Sequence, residues 1–263
     1  PDLIEGSRQK VAQDFLAAQN GAYHSLGKFG IWSLDTERRF GVDEQRWLKL
    51  ELFRTDYFTH RVMREVYAKL VAADHKVQHV DLKDLATYRC LLTSFGLNAV
   101  VFLERAGERD IMVLCERSPR AADVQRPGLF HVTMNEGLSH VDVDPDTGIP
   151  SLALCLQRGL MEELHLASGV LTQRMTADFL DVFLLRSRLE LGITCSVRIS
   201  DMTFEQFHET ASTAKDRELE IRRVVPIPFD RDAVESFLHD HDMISHGRYA
   251  VHMIAPREGL FLR

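Results

Sequence analysis

Apolar and polar positions along this chain fall into two textures, helical and half-buried at first and strand-rich afterwards. Lys10 to Ala18 has helical periodicity, and Gln19-Asn20-Gly21 then supplies a turn signal, so a short helix is expected first. Arg46 to Phe53 (RWLKLELF) alternates with period two, the mark of a half-buried strand. Thr55 is placed to cap a following helix, in which Phe58, Val62, Met63, Val66, Tyr67, Leu70 and Val71 make one apolar stripe for a core.

Past Leu92 strands dominate. Leu97 to Leu103 and Asp110 to Cys115 read as a hairpin around Ala106-Gly107-Glu108. Arg117 to Gly128 has the composition of a loop, and Leu129 to Met134 (LFHVTM) reads as a strand ending at Asn135-Glu136-Gly137. The turn formers of Asp142 to Pro150 lead into an apolar-periodic helix from Ser151 to about Leu166. Further strands are expected at 179–185, 193–199 and 222–227, with a polar or helical stretch at 203–214. A helix is expected at 232–239 and a last strand near Ala250 to Ile254. No repeat appears. The order past about residue 95 is a mixed α/β pattern around one central helix.

Composition narrows the class without naming a chemistry. The 263 residues are 45% hydrophobic and 27% charged, enough for a sizeable core and incompatible with disorder. Lys and Arg number 32 against 39 Asp and Glu, a net charge of −7, so bulk nucleic-acid binding is disfavoured. Cys90, Cys115, Cys155 and Cys195 are scattered, which points to thiols in a reducing cytoplasm. The N-terminus lacks the basic-then-apolar pattern of a signal peptide, and no apolar run reaches the roughly 18 residues of a membrane span.

Several candidate chemistries weaken on inspection. His239-Asp240-His241-Asp242, with His246 and His252 nearby, has metal-ligand residue types, but a solvated helix end accounts for it more simply. His75 and His79 are spaced as zinc ligands on a helix, yet Lys76 stands where the catalytic glutamate of that motif belongs. There is no nucleophile elbow, no phosphate-binding P-loop and no dinucleotide fingerprint. Cys155, among Leu152, Leu154 and Leu156, reads as a small core residue.

One segment is specific. Arg158-Gly159-Leu160-Met161-Glu162-Glu163-Leu164-His165-Leu166 resembles the second half of the Nudix box, G-x5-E-x7-R-E-U-x-E-E-x-G-U, with Arg158, Leu160, Glu162, Glu163 and Leu166 in register. The resemblance implies an α/β fold, a Nudix-like α/β/α sandwich with a mixed sheet over residues 91–263. An N-terminal α+β extension of residues 1–90 would precede it. It also implies Mg²⁺ or Mn²⁺ as cofactor, a nucleotide-type small-molecule ligand and a homodimer. In that family, carboxylates one helical turn apart hold the cation against a diphosphate, where it polarises the phosphoryl group and activates water.

The chain departs from the box at four places: Asp144 for the first Gly, Pro150 for the first Glu, Gly159 for the Glu after Arg, and His165 for the last Gly. Glu162 and Glu163 remain as the catalytic and metal-ligating candidates. Glu136 is the expected third ligand, with Asp142, Asp144 and Asp146 or Asp216, Glu218 and Glu220 as other sources. The bland alternative has Arg158 paired with Glu162 at i+4 and no metal. Arg158 and Gly159 are structural members of the box. A helical Gly costs about 1 kcal/mol against Ala, so Gly159 marks either a close approach or drift after a lost glutamate. Arg117 and Arg126, in the expected loop, are candidates for binding ligand phosphates.

Two functions follow from the resemblance. The chain is a divergent hydrolase of a nucleoside diphosphate-linked compound with a divalent metal, or a catalytically inactive module that binds a nucleotide or nucleotide sugar as a sensor or regulator. An interaction scaffold is the third alternative.

Overall fold

Valines and phenylalanines spaced by helical turns build the first unit. In the computed structural model, which describes residues 2–17, 26–38, 46–119, 128–166, 174–214 and 221–262, helix α1 (Asp2–Ala17) sets Val11 and Phe15 against α2 (Tyr57–Ala73). Val62, Val66, Phe58 and Leu70 of the expected stripe receive them, and Phe15 meets Phe58 edge to face at 5.3 Å. The cap of α2 is Asp56 rather than Thr55. The Asp56 Oδ1 accepts the Thr59 N–H at 2.8 Å, while Thr55 stays paired in the preceding strand.

That strand, β2 (Arg46–Asp56), pairs antiparallel with β1 (Gly27–Arg38), which the sequence pattern did not mark. Its two glycines and a register shift between Ile31 and Ser33 break the alternation that signals a strand. Residues 75–79 form a 3-10 turn followed by the short α3 (Leu85–Tyr88). The α-helix on which the spacing of His75 and His79 would put both on one face ends before them, at Ala73. The Gln19-Asn20-Gly21 turn signal lies outside the described residues. This unit comprises Pro1–Phe95 with Gly137–Val143 and Leu184–Leu191.

The second unit, Gly96–Glu136, Asp144–Phe183 and Gly192–Arg263, has the mixed α/β class expected and is compatible with an α/β/α sandwich. Its elements are β3 (Phe95–Glu104), β4 (Ile111–Arg117), β5 (Phe130–His131), β6 (Met134–Gly137), α4 (Leu152–Leu164), β7 (Met175–Leu185), β8 (Glu190–Ser200), α5 (Phe204–Ser212), β9 (Ile221–Pro228), α6 (Arg231–Asp240) and α7 (Ser245–Arg257). Among the described residues, seven strands form one sheet in the order β5-β4-β3-β8-β7, with β6 on β3 and β9 on β4. The central β3 is buried along nearly its whole length, as a strand covered on both faces must be.

Three expectations change. Arg117 ends β4 instead of opening a loop. The run 129–134 breaks into two short strands, so Asn135-Glu136-Gly137 is extended β6 and not a turn. The final strand is a helix: in α7, Gly247, Ala250, Val251 and Ile254 are buried at spacings of three, one and three, a helical face that the short run AVHMI conceals. Val100, Phe102, Met112, Leu114, Phe130 and Val132 pack against α6 and α7 through Val234, Phe237, Leu238, Ala250, Val251 and Ile254.

Candidate functional site

The box segment is a helix for local reasons. Ser151 caps α4, its Oγ accepting the Leu154 N–H at 3.4 Å. At the other end the Leu166 N–H donates to the Leu160 carbonyl at 3.1 Å and the His165 N–H to that of Met161 at 3.0 Å, the paired closure of a helix C-terminus. His165 holds the left-handed conformation (φ 54°) that glycine favours. So the departure from the last box glycine keeps the backbone shape, and the His165 Nδ1 rests 3.0 Å from the Thr213 carbonyl oxygen.

Cys155, Leu156, Gly159, Leu160, Glu163 and Leu164 form the buried face of α4. Successive helical residues differ by about 100°, so Glu163 shares a face with Gly159 and Glu162 shares one with Arg158. Their environments diverge accordingly. Glu163 is only 4% exposed, and its Oε1 accepts the backbone N–H of Asn135 on β6 at 3.3 Å. Glu162 is half-buried and pairs with Arg158.

Gly159 is a close-approach glycine. A Cβ there would lie 2.6 Å from the Met134 Sδ and 3.0 Å from the Glu136 Cβ, so any side chain collides with β6. Drift is therefore not needed to explain it, and a glutamate at this position would require the Met134 side chain to shift.

Arg158 gathers the other two candidates. Its Nη1 lies 3.1 Å from the Glu162 Oε2, the i+4 pair expected from spacing, and 3.2 Å from the Glu136 Oε1. One guanidinium thus bridges a strand carboxylate and a helix carboxylate. These groups do not fit a resident divalent cation. Two of the three expected ligands are bonded to a cation already in place, the third is turned to a backbone amide, and Gly159 can contribute nothing. Among the described residues no group of three or more His, Cys, Asp or Glu is arranged to hold a metal.

The other acidic candidates serve turns. Asp142 is buried, its Oδ2 accepting the Ser139 N–H at 2.8 Å. Asp144 accepts the N–H groups of Asp146 and Thr147 at 2.9 Å each, and these bonds hold its carboxyl below the usual range. Asp216, Glu218, Glu220 and the phosphate candidate Arg126 lie outside the described residues. Arg117 is 8% exposed, with its backbone N–H on the Leu129 carbonyl.

The histidine run disperses. His239 pairs with Asp240, His241 stacks on Phe237 at 4.4 Å, and the His246 Nε2 faces the His131 Nε2 at 2.8 Å. Burial lowers the pKa of His252.

Sequence reasoning missed a basic cluster on β4 and β9. Glu116 is 4% exposed, and its two oxygens accept from Arg222 Nη1 at 2.8 Å and Arg223 Nε at 2.5 Å. The consecutive arginines in a strand were the available signal, since one of the two should face the core.

No family model matches the chain, and no curated protein matches it. Solved structures with distant likeness include the Deinococcus radiodurans protein DR0079, at 12% identity and a TM-score of 0.39, over 61% of this chain and 83% of that one. RenU, a Nudix hydrolase of M. smegmatis, matches at 11% and 0.37, over 63% and 84%. The C-terminal domain of mouse MUTYH, from its complex with human PCNA, matches at 7% and 0.36, over 64% and 91%. No helix among the described residues is long and apolar enough to cross a membrane.

Proposed function

We propose that this chain is a Nudix-like module that binds a nucleotide or nucleotide sugar without hydrolysing it. One observation carries the reading: the Arg158 Nη1 is bonded to both Glu136 and Glu162. A guanidinium there neutralises part of the carboxylate charge that a divalent cation would otherwise offset, and a fixed internal cation supplies neither an open coordination position nor an activated water. Gly159 adds to the case, because a side chain at the box position would require the Met134 thioether of β6 to move aside. The ligand class comes from the box resemblance, as does the expectation of a homodimer.

The hydrolase alternative has one observation of its own, that β6 brings Glu136 beside Glu162. It requires a divalent cation to displace Arg158 from both carboxylates.

The test is a panel of nucleoside diphosphate compounds assayed with Mg²⁺ and with Mn²⁺, and the same compounds titrated by calorimetry in EDTA. Binding in EDTA with no turnover supports the module. Metal-dependent product release that Glu163→Gln abolishes would establish the hydrolase instead.

A further inference from the structure

The pairing of β4 with β9 runs in regular register from Ile111–Pro228 to Glu116–Arg223 and then shifts, so that Arg117 lies opposite Ile221. Arg222 is the extra residue. In a regular strand Arg222 and Arg223 would point to opposite faces, but a bulge sets two residues against one and re-aims their side chains. Both guanidinia accordingly reach Glu116.

Three features make this more than a surface ion pair. Glu116 is a buried carboxylate, which needs charged partners to stay buried, and it accepts from one arginine on each oxygen. Arg223 also lies over the Phe130 ring, 5.7 Å from its centroid, which restrains a second axis of the side chain. And the arginine side chains remain 64% and 59% exposed although their donors are held from beneath. Arg222 contributes only Nη1 to Glu116, and Arg223 only Nε. The remaining N–H donors of two ordered guanidinia are carried at an exposed strand end, with one net positive charge in a chain of net charge −7.

We propose that Arg222 and Arg223 form an anion site that takes the phosphate groups of a diphosphate-bearing ligand, with Glu116 as the positioning residue that orients both. Planar, pre-ordered guanidinia suit phosphate oxygens because each can donate two parallel hydrogen bonds at little further loss of side-chain freedom. For the identity of the ligand, though not for the site, this rests on the nucleotide-binding reading above.

The test uses calorimetric titration of the full chain in EDTA with inorganic pyrophosphate, ADP and UDP-glucose. Removing both arginines alone would strand the Glu116 charge, so the informative variant is Glu116→Gln/Arg222→Gln/Arg223→Gln, with Arg222→Lys/Arg223→Lys beside it. The expected result is pyrophosphate binding that weakens at least tenfold in the triple variant and partly survives in the lysine pair. Pyrophosphate, ADP or UDP-glucose binding unchanged in the triple variant overturns the site and leaves the module reading standing. Pyrophosphate binding that is lost in the triple variant, with ADP and UDP-glucose binding nowhere, upholds the site and overturns the module. Pyrophosphate that fails to bind the unmodified chain overturns the site.

Discussion

The Met134 Sδ lies 2.6 Å from the point where a Cβ on Gly159 would sit, and this contact fixes what α4 can carry where it crosses β6. Met134 is fully buried, so its sulfur has little room to move. Gly159→Ala gains about 1 kcal/mol of helix propensity against about 1–3 kcal/mol of overpacking. A net loss of about 1 kcal/mol is expected, read as a lower urea midpoint at unchanged m-value. In a Met134→Ala background the same substitution should become neutral or stabilising. A Gly159→Ala variant more stable than the parent in the Met134 background would contradict the contact.

Arg198 on β8 predicts a larger effect. Its guanidinium bonds Glu104 and Glu258 and lies 3.1 Å from the Asp110 Oδ2. Burial opposes the charge, yet the bonds to Glu258 and Glu104 more than offset it, and the pKa is raised. Arg198→Met leaves three carboxylates facing one another. Discounting the buried-pair value for partial exposure, the loss is about 2 kcal/mol. It should shrink at high salt, where like-charge repulsion is screened. A thermal midpoint insensitive to the substitution would sink the network's role.

Tyr249 gives the pH dependence. Burial, followed by its 2.6 Å hydrogen bond to the Asp181 Oδ2, pushes its pKa up to about 12. A folded pKa above the unfolded value of about 10 means that the unfolded chain releases its proton first. The contribution to stability is whole below pH 10 or so and is lost as pH rises through the folded pKa. An ultraviolet tyrosinate titration should contain a late component that disappears in Tyr249→Phe. A titration with no late component would refute the assignment.

Much of the architecture was legible because it follows from periodicity. α4, with its start at Ser151, and the Arg158–Glu162 pair are local consequences of spacing, and β3, β4 and β8 are strong apolar runs. What escaped is set by tertiary context. β1 is interrupted by glycines and a bulge, Asp56 rather than its neighbour Thr55 turned out to be the cap, and AVHMI is too short to reveal its period. Gly159 had two readings until its neighbour across the fold was known. The consecutive Arg222 and Arg223 are a visible signal without a visible meaning: only the register shift on β9 explains two successive arginines on one carboxylate.

Glu163 separates structure from chemistry. Glu163→Gln retains an acceptor for the Asn135 N–H, whereas Glu163→Ala removes it and costs about 1–3 kcal/mol for the buried amide. The binding module predicts that Glu163→Gln leaves the affinity for ADP and UDP-glucose within twofold of the unmodified chain. A tenfold loss in a variant of unchanged stability would mean that Glu163 touches the ligand or its metal.

In the binding-module reading Arg158 fills the place of a cation between Glu136 and Glu162. The most direct test is a Mn²⁺ titration followed by electron paramagnetic resonance, comparing the unmodified chain with Arg158→Gln. No binding tighter than millimolar is expected in the unmodified chain, and at least a tenfold gain in the variant, where the two carboxylates are released. Micromolar Mn²⁺ binding by the unmodified chain, weakened by Glu162→Gln and by Glu136→Gln, would contradict that reading.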